Sequence, residues 1–232
     1  MRLSTHHLSL TFGGVRALHE LTLEFPVGSR TVLWGPAGGG KTSLLKCLTG
    51  LVVPTGGEVQ WDDVPVSRRR AQEKRDAQVA FGMVFQSDAL FDSLTVLENV
   101  LLPLRKRHVP EAEAMERATE AIKRVHLTEA AQKHPENLSG GMKKRAGVAR
   151  AIVARPQVLL ADDPFAGLDP KTERSIAELL LEISEGRTLI VALPDPVPAL
   201  PVDRTFRLVA GQLEASGVEG SRTLTPSGVE GP

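Results

Sequence analysis

The alternation of hydrophobic and polar residues predicts strands in the N-terminal region. Residues 8–12 and 18–25 alternate in part and are rich in Leu, Thr and Phe, as strands often are. Residues 30–34 predict a short strand that leads directly into a glycine-rich stretch. The leucines after that stretch repeat at helical spacing, so we expect a helix over residues 42–51.

A charged segment separates two further predicted strands. The strands are expected at residues 58–61 and 79–85, and the charge is concentrated at residues 68–76. A solvated helix face or loop explains this charge better than a nucleic-acid-binding patch. The whole chain of 232 residues has 28 basic and 28 acidic side chains, and a nucleic-acid-binding protein normally has a basic excess. We therefore expect no nucleic-acid partner.

The middle of the chain has the periodicity of helices. Residues 93–104, 110–127 and part of 138–154 predict helices, and the second begins with proline and acidic residues, as helices often do. Strands and a helix then alternate again, with strands expected at 157–161, 187–193 and 204–209 and a helix at 170–184. The sequence predicts an α/β core with a mostly parallel sheet, into which a helical segment, about residues 91–154, is inserted.

The composition changes at the C-terminal end. Residues 212–232 are rich in Gly, Ser, Thr and Pro, and the sequence Ser-Gly-Val-Glu-Gly occurs there twice. Such a segment buries too little apolar surface to offset the entropy lost on ordering, so we predict that it is disordered. The folded domain is expected to span residues 1–211.

Cysteine content and hydropathy narrow the class of protein. Cys47 is the only cysteine, so it forms no intrachain disulfide, and a reducing compartment is the simpler interpretation. We interpret it as a packing residue and not as a redox switch. No stretch approaches the ~18 uninterrupted apolar residues typical of a membrane helix, and residues 1–10 lack the apolar core of a signal peptide.

A glycine-rich motif predicts a phosphate site at residues 35–42, called the phosphate loop below. The sequence fits the pattern G-x-x-x-x-G-K-[ST], in which backbone N–H groups surround phosphate oxygens and the following helix adds its dipole. In this pattern Lys41 reaches the β- and γ-phosphates, and the Thr42 hydroxyl is a ligand of Mg²⁺. The expected nucleotide-binding residues are Gly35, Pro36, Ala37, Gly38, Gly39, Gly40, Lys41, Thr42 and Ser43.

An acidic residue follows a second apolar strand. The run Val-Leu-Leu-Ala before Asp162 predicts a buried strand. Ligands of open α/β sheets gather at the carboxyl ends of strands, so Asp162 is expected to hold Mg²⁺, mostly through water. An apolar run that ends in Asp is weak support for a Mg²⁺ site when taken alone, but together with the phosphate loop it is strong support.

A further motif, residues 138–142 or the signature segment, resembles the LSGGQ signature of ABC ATPases, with Met142 in the last place. Gln86 is similar to the glutamine of that family's Q-loop. Asp169 ends a segment similar to its D-loop, which implies that Asp169 contacts the nucleotide. Phe12 occupies the place of the aromatic residue that stacks on adenine, although a core aromatic in an early strand is an alternative. The resemblance covers about residues 3–211.

The resemblance implies a P-loop NTPase core with an antiparallel β subdomain near the N-terminus and an inserted α-helical subdomain. In ABC ATPases two such domains pair head to tail around ATP and Mg²⁺. Ser139, Gly140 and Gly141 would then bind the γ-phosphate on the partner, although the same residues also suit a helix N-cap. The resemblance also implies that Gln86 takes part in catalysis and is a ligand of Mg²⁺. It implies that Lys41 takes part in nucleotide binding and in catalysis.

The same resemblance implies partners and a location. It implies a membrane-embedded permease and a second ATP-binding subunit, in a homodimer or a heterodimer, at the cytoplasmic face of the membrane. Residues 89–96 and 140–145 look like those of the Mla/Mce-type lipid transporter ATPases, which implies a lipid or another hydrophobic cargo.

Two positions depart from the family pattern. Asp163 stands where the family has a glutamate that polarises the attacking water, and Pro194 stands where it has a histidine that contacts the γ-phosphate. Shortening the carboxylate by one methylene withdraws it by about 1.5 Å, and proline has no side-chain donor. The sequence therefore predicts intact ATP binding with Asp163 as a weakened catalytic residue.

Three functions remain open at this point. The chain could power a transporter by ATP hydrolysis, or it could close on ATP as a regulatory subunit that seldom hydrolyses it and completes the site of a second ATPase. A soluble ABC protein that acts on nucleic acid or ribosomes is disfavoured, because such proteins usually have two nucleotide domains or a coiled-coil insertion, and because this chain is neutral.

Overall fold

The computed structural model describes residues 1–195 and 200–214. The elements are, in chain order, β1 (Leu3–Phe12), β2 (Val15–Phe25), β3 (Arg30–Trp34), α1 (Lys41–Leu48), β4 (Gly56–Trp61), β5 (Val64–Pro65), α2 (Ala71–Gln78), β6 (Phe81–Val84), α3 (Val96–Arg105), α4 (Glu111–Arg124), α5 (Gly140–Ile152), β7 (Val158–Asp162), α6 (Pro170–Ile183), β8 (Thr188–Leu193), β9 (Arg204–Val209) and β10 (Gln212–Glu214). No helix among these residues is both long enough and apolar enough to cross a membrane.

Two sheets organise these elements. The smaller sheet has the order β2-β1-β4-β5 and is antiparallel throughout. The larger sheet has the order β10-β9-β3-β8-β7-β6, and its pairs are parallel apart from β10 with β9. The predicted α/β fold with a mostly parallel sheet and an N-terminal antiparallel β subdomain is confirmed.

The central strand β7 shows how the core is divided. All five of its residues are buried, which is typical of a parallel strand covered on both faces. Val158 and Leu160 pack on one side with the leucines of α1 and the smaller sheet, whereas Leu159 and Ala161 pack on the other side with α3 to α6. Helix α1 therefore lies between the two sheets, and its first residues meet the carboxyl end of β3.

Helices α3, α4 and α5 lie between β6 and β7 in the chain, where the sequence predicts an inserted helical segment. Their inward faces are built from small and branched apolar residues, such as Val100, Ala118 and Ile122, that belong to the same buried cluster as the large sheet. Helix α3 begins with a capping box, in which Thr95 and Glu98 satisfy each other's backbone N–H groups.

Several element boundaries differ from the prediction. The helix expected over residues 42–51 ends at Leu48, because Gly50 adopts positive φ and turns the chain. The strand expected over residues 79–85 is only Phe81–Val84. The charged segment before it contributes to α2, whose eight residues include none that is buried, so the solvated-helix interpretation is confirmed.

The prediction of disorder from residue 212 onwards is wrong at its start. Gln212–Glu214 form β10, which pairs with β9 through a tight turn at Ala210 and Gly211, both at positive φ. An ion pair between Arg207 and Glu214 crosses this hairpin. The short strand forms because β9 offers a free edge, and not because of its own apolar content. Residues 215–232 lie outside the described residues, so the rest of this prediction is untested.

Candidate functional site

The phosphate loop joins β3 to α1 and has an unusual backbone. Gly35, Gly38 and Gly40 adopt φ of 146°, 76° and 98°, a region that side chains disfavour. A Cβ atom at Gly35 would lie 2.1 Å from the carbonyl oxygen of Leu208, and one at Gly39 would lie 2.6 Å from it. The loop therefore needs glycine both for its dihedral angles and for its close contact with β9.

Lys41 folds back over this loop. Its Nζ donates hydrogen bonds to the carbonyl oxygens of Gly35 at 2.6 Å and Pro36 at 2.9 Å. Burial lowers the pKa of Lys41, while the carboxylates of Asp162, Asp163 and Asp195 act to raise it. One ammonium is thus within electrostatic range of three carboxylates.

Thr42 and Asp162 meet at the carboxyl end of β7. The Thr42 hydroxyl donates to Oδ1 of Asp162 at 3.0 Å, and Asp162 is only 6% exposed. Burial raises the pKa of this carboxyl, and the Thr42 hydrogen bond lowers it in part. A hydroxyl and a carboxylate oxygen, with further carboxylates nearby, form the all-oxygen donor set that Mg²⁺ prefers, so these residues fit the predicted ion.

Gln86 and Asp163 meet on the far wall of the same space. Gln86 donates from Nε2 to Oδ2 of Asp163 at 3.1 Å, although 77 positions separate the two residues in the chain. The backbone N–H of Asp163 donates to the carbonyl of Ala192 at 2.9 Å, and Asp163 itself has a φ of 43°. These contacts fix the Asp163 carboxylate on this wall, and its correspondence to the family's water-polarising glutamate stays a prediction.

These residues line one cleft of about 250 Å³. Its walls contain most of the predicted phosphate loop together with Gln86, Asp162 and Asp163. Pro194, one of the two residues that depart from the family pattern, also lines the cleft. The remaining lining residues are Ala17, Ala37, Gly38, Gly39, Gly40, Lys41, Thr42 and Ser43.

The cleft combines a phosphate loop, an acidic residue at a strand end and a glutamine, which is the composition expected of a nucleotide-binding site. Sequence comparison identifies the family. The family model described as "ABC transporter" matches residues 18–166, more than half of the chain. This chain belongs to the ABC transporter ATP-binding family.

Two of the similar relatives are named as import ATP-binding proteins. The ABC ATPase is 40% identical over 226 residues to the methionine import ATP-binding protein MetN of Carboxydothermus hydrogenoformans, covering 95% of this chain and 67% of the relative. It is 38% identical over 225 residues to the phosphonates import ATP-binding protein PhnC 1 of Rhodopseudomonas palustris, covering 92% of this chain and 79% of the relative. An uncharacterized ABC transporter ATP-binding protein of Mycobacterium bovis is 38% identical, and the chain spans 61% of its length.

Solved structures agree with the fold. The dimeric ABC transporter cassette MJ0796 has a TM-score of 0.82 and 30% sequence identity, over 97% of this chain and 99% of that one. CbiO1 from Clostridium perfringens, part of the ABC transporter complex CbiONQ, has a TM-score of 0.80 and 30% identity, over 91% of this chain and 86% of that one. A post-hydrolysis state of MJ0796 bound to ADP and phosphate also matches, with a TM-score of 0.81 and 29% identity over 97% of this chain and 99% of that one.

The signature segment of this ABC ATPase lies outside the cleft. Ser139 is the N-cap of α5, and its hydroxyl accepts from the backbone N–H of Met142 at 3.3 Å. Among the residues that line the cleft within the described ranges, neither Ser139 nor the two glycines after it is present. Both the helix-cap interpretation and a contact with a partner's nucleotide are compatible with this position.

Asp169 and Phe12 also lie outside the described lining of the cleft. Asp169 caps α6 and accepts from the backbone N–H groups of Lys171 and Thr172. Its predicted nucleotide contact stays a prediction, and the geometry adds a structural role. Phe12 is 52% exposed at the end of β1, so the alternative of a core aromatic is wrong and the ring is free to stack on a base.

Some supporting residues of the ABC ATPase were missed by sequence reasoning. The β9–β10 turn lies directly against the phosphate loop, and Gly211 donates from its backbone N–H to the carbonyl of Gly39 at 3.1 Å. A Cβ atom at Gly40 would lie 2.6 Å from the carbonyl oxygen of Ala17 in β2. Sequence reasoning had no local signal for these contacts, since they join distant segments through backbone atoms.

Cys47 has the packing role that the sequence predicts. It is buried in α1, and burial raises the pKa of its thiol to about 11. A thiol with such a pKa is a poor nucleophile, because the reactive species is the thiolate.

Proposed function

We propose that this chain is the ATP-hydrolysing subunit of an ABC importer and works in a head-to-tail dimer of ATP-binding subunits. The proposal rests on the separation, within one chain, of the residues expected to bind phosphate and Mg²⁺ from the signature segment. Lys41, Thr42 and Asp162 line the cleft, whereas Ser139 and Gly140 of the signature segment are exposed and lie outside it. A second chain that supplies its signature segment completes the site, and dimeric MJ0796 supports this arrangement.

The proposed mechanism follows from the two walls of the cleft. The loop amides and Lys41 hold the β- and γ-phosphates, and Lys41 exchanges its carbonyl contacts for phosphate oxygens. Thr42 and Asp162 hold Mg²⁺, which supplies charge neutralisation when bound there. Asp163 accepts hydrogen bonds from the attacking water and aligns it with the γ-phosphate, while Gln86 fixes the carboxylate.

We infer that hydrolysis at this site is slow. Asp163 is one methylene shorter than the family's glutamate, and a misplacement near 1 Å costs on the order of 100-fold in rate. Pro194 on the cleft wall offers no donor to the γ-phosphate. Binding does not depend on either residue, so nucleotide affinity remains ordinary while turnover falls.

The second candidate is a regulatory subunit that binds ATP, hydrolyses it rarely, and completes the site of another ATPase. The same two residues favour it, since the signature segment keeps Ser139 and both glycines while the far wall of the cleft is depleted. In a heterodimer of this kind the second subunit has a Glu and a His at the positions of Asp163 and Pro194.

We propose a membrane-embedded permease as the further partner, with the chain at the cytoplasmic face of the membrane. The relatives are named for the import of methionine and phosphonates, which favours import of a small polar solute. They do not support the lipid cargo that the Mla/Mce-like segments predict, so that cargo stays a prediction. Uptake by a reconstituted complex, measured with methionine, a phosphonate and a labelled phospholipid, separates these cargoes.

The deciding experiment is steady-state ATP hydrolysis by the purified chain alone, with Lys41→Ala as the blank. The proposal expects tight ATP binding with turnover well below the ~1–10 s⁻¹ of ordinary enzymes. Turnover in that range, abolished in the blank, would show that Asp163 and Pro194 do not weaken the site. No ATP binding at all would reject both candidate functions.

A further inference from the structure

Helix α5 holds the segment around Gln86 with two basic side chains. The Lys144 ammonium donates a hydrogen bond to the main-chain carbonyl of Gln86 and lies 3.1 Å from Oδ1 of Asp88. Arg150 donates to the carbonyl of Asp88 at 2.8 Å and to that of Ala89. The main chain of residues 86–89 is therefore fixed to α5 by charged donors.

Lys144 is buried to a degree that is uncommon for lysine, with 3% exposure. Oδ1 of Asp88 is buried too, and within the described residues it has no hydrogen-bond partner to supplement the ion pair. A buried ion pair is a weak source of stability, since apolar residues of similar size often serve as well. The pair is therefore better explained by what it holds in place.

The segment that it holds is strained. Asp88 and Ala89 have φ of 58° and 49°, a left-handed conformation in two successive non-glycine residues. Strained backbone persists only where surrounding contacts enforce it, and here the contacts come from α5. Without Lys144 the carbonyl of Gln86 loses its charged donor, whereas Arg150 still holds the carbonyls of Asp88 and Ala89, so the main chain of Gln86 is the part that becomes free to move.

Lys144 lies between the signature segment and the reacting end of the cleft. It is in the second turn of α5, which begins just after the Ser139 cap. Lys144 bonds to the main-chain carbonyl of Gln86, and the side-chain amide of the same glutamine donates to Asp163. One side chain thus connects the helix that carries the signature segment to the residue that holds the carboxylate of Asp163.

We propose that Lys144 is a positioning residue, which fixes Gln86 to α5 so that the Gln86 amide holds Asp163 in line for hydrolysis. It touches no nucleotide, and it acts through Gln86. This inference rests on the proposed hydrolysis of ATP at this cleft. Its consequence is that α5 and Gln86 move as one body, so engagement of the signature segment by a partner's nucleotide sets the geometry at the chain's own Asp163.

The test removes both charges of the pair at once. Lys144→Met together with Asp88→Asn leaves no unpaired buried charge, and Met follows the lysine stem in shape. We expect an unchanged melting temperature and KM for ATP, and a kcat lower by about tenfold or more, since small misplacements are costly. Lys143→Met, one position earlier on α5 and without an ion pair among the described residues, is the matched control and keeps full activity.

A purely structural role predicts different results. It predicts that the paired variant recovers full kcat, because the unpaired charge is gone, and that result would overturn the inference. In a Gln86→Ala background the paired substitution should cause no further loss of kcat, because the effect passes through Gln86. Additive losses would also overturn it. If the paired variant does not fold, Lys144→Gln is measured in its place against the same two criteria.

A measurement without turnover separates this inference from the proposed function. Amide hydrogen exchange at residues 87–89 in the nucleotide-free protein should be faster in the paired variant than in the wild type and in Lys143→Met. Unchanged exchange rejects the role of Lys144 even if the chain hydrolyses ATP. Faster exchange in a chain without Lys41-dependent hydrolysis keeps the positioning contact and rejects the proposed function.

Discussion

The two walls of the cleft differ in what they are made of. The phosphate-loop wall is mostly backbone, with three glycines at positive φ and carbonyl groups that hold Lys41. The far wall is made of side chains, with the Gln86 amide, the Asp163 carboxylate and the ring of Pro194. The backbone wall tolerates few substitutions, and this chain has all of its glycines. On the side-chain wall, a single substitution can shorten a side chain so that it no longer extends to the phosphate.

Under the proposed function, nucleotide capture and turnover depend on separate parts of the chain. We expect capture to need the loop, Lys41, Thr42 and Asp162; the hydrogen bond between Thr42 and Asp162 involves no residue of the far wall. Turnover needs a carboxylate at the correct distance from the γ-phosphate. Substitutions can therefore remove one property and leave the other, and the four predictions below use this separation.

The largest effect is expected on the loop wall. Lys41→Ala removes a charged donor to the phosphates, and such hydrogen bonds contribute about 1.5–3 kcal/mol each. ATP affinity should fall at least about 100-fold in a calorimetric titration. The melting temperature should change little, because Lys41 contacts only carbonyls of its own loop. Lys46→Ala, an exposed lysine on the same helix, is the control; equal loss there would mean that charge alone, without geometry, explains the effect.

The far wall should respond in the opposite direction. Asp163→Glu with Pro194→His restores reach and a donor, so the ATPase rate should rise about 10- to 100-fold while ATP affinity stays the same. Asp163→Asn keeps the shape, removes the charge and should lower the rate further. Glu tolerates the φ of 43° less well than Asp, so a small fall in melting temperature is also expected.

An unchanged rate in the double variant would mean that the far wall is not what limits turnover. The different composition of the two walls would then not explain a difference between ATP binding and turnover. Single-turnover kinetics with each substitution alone would show which of the two residues contributes more.

Gly140→Ala tests whether a partner completes the cleft. A Cβ atom at Gly140 would lie 3.9 Å from the nearest atom, the Leu168 side chain, so the substitution fits within one chain. It would nevertheless obstruct close approach of a partner's phosphate, and we expect ATPase activity to fall about tenfold, the effect of roughly 1.4 kcal/mol. Thermal unfolding should be unchanged or slightly more stable, since Ala is the better helix former.

The matched substitution for this test is Gly147→Ala on the same helix. An added Cβ there would lie 3.5 Å from the carbonyl oxygen of Asp88, an ordinary contact, and far along α5 from the signature segment. It should leave the ATPase rate as it is. Equal rates in both variants would argue against a nucleotide contact at the N-terminus of α5.

The smallest effect is expected at Phe12. Base stacking on an aromatic ring contributes about 1 kcal/mol, so Phe12→Ala should weaken ATP binding by about fivefold. Stability should not change, because the ring is exposed. Phe91→Ala removes an equally exposed aromatic ring and should leave affinity unchanged. If the affinity for inorganic triphosphate fell as much as that for ATP, stacking on the base would not be the cause.

Local patterns in the sequence predicted much of the fold. The strands at Arg30–Trp34 and Arg204–Val209 have the predicted bounds. Thr42 and Asp162 meet as expected, since a phosphate loop and a buried strand that ends in Asp are adjacent at the carboxyl edge of a parallel sheet.

The sequence could not predict features that depend on distant partners. Strand β10 forms against the edge of β9 and has only three residues, too few for a periodic signal. Lys144 lies in a run of basic residues that resembles a solvated face, and its burial follows from how α5 packs on the segment after β6. The bond between Gln86 and Asp163 needs the order of the strands, which hydrophobic periodicity does not contain.

The contact between the phosphate loop and the β9–β10 turn has a consequence for biosynthesis. During synthesis the loop emerges well before Leu208 and Gly211, which lie against Gly35 and Gly39. A nascent chain that already contains Lys41 and Thr42 still lacks the surface on which the loop is shaped. A fragment that ends before β9 is therefore expected not to bind ATP, even though it contains every side chain of the phosphate loop.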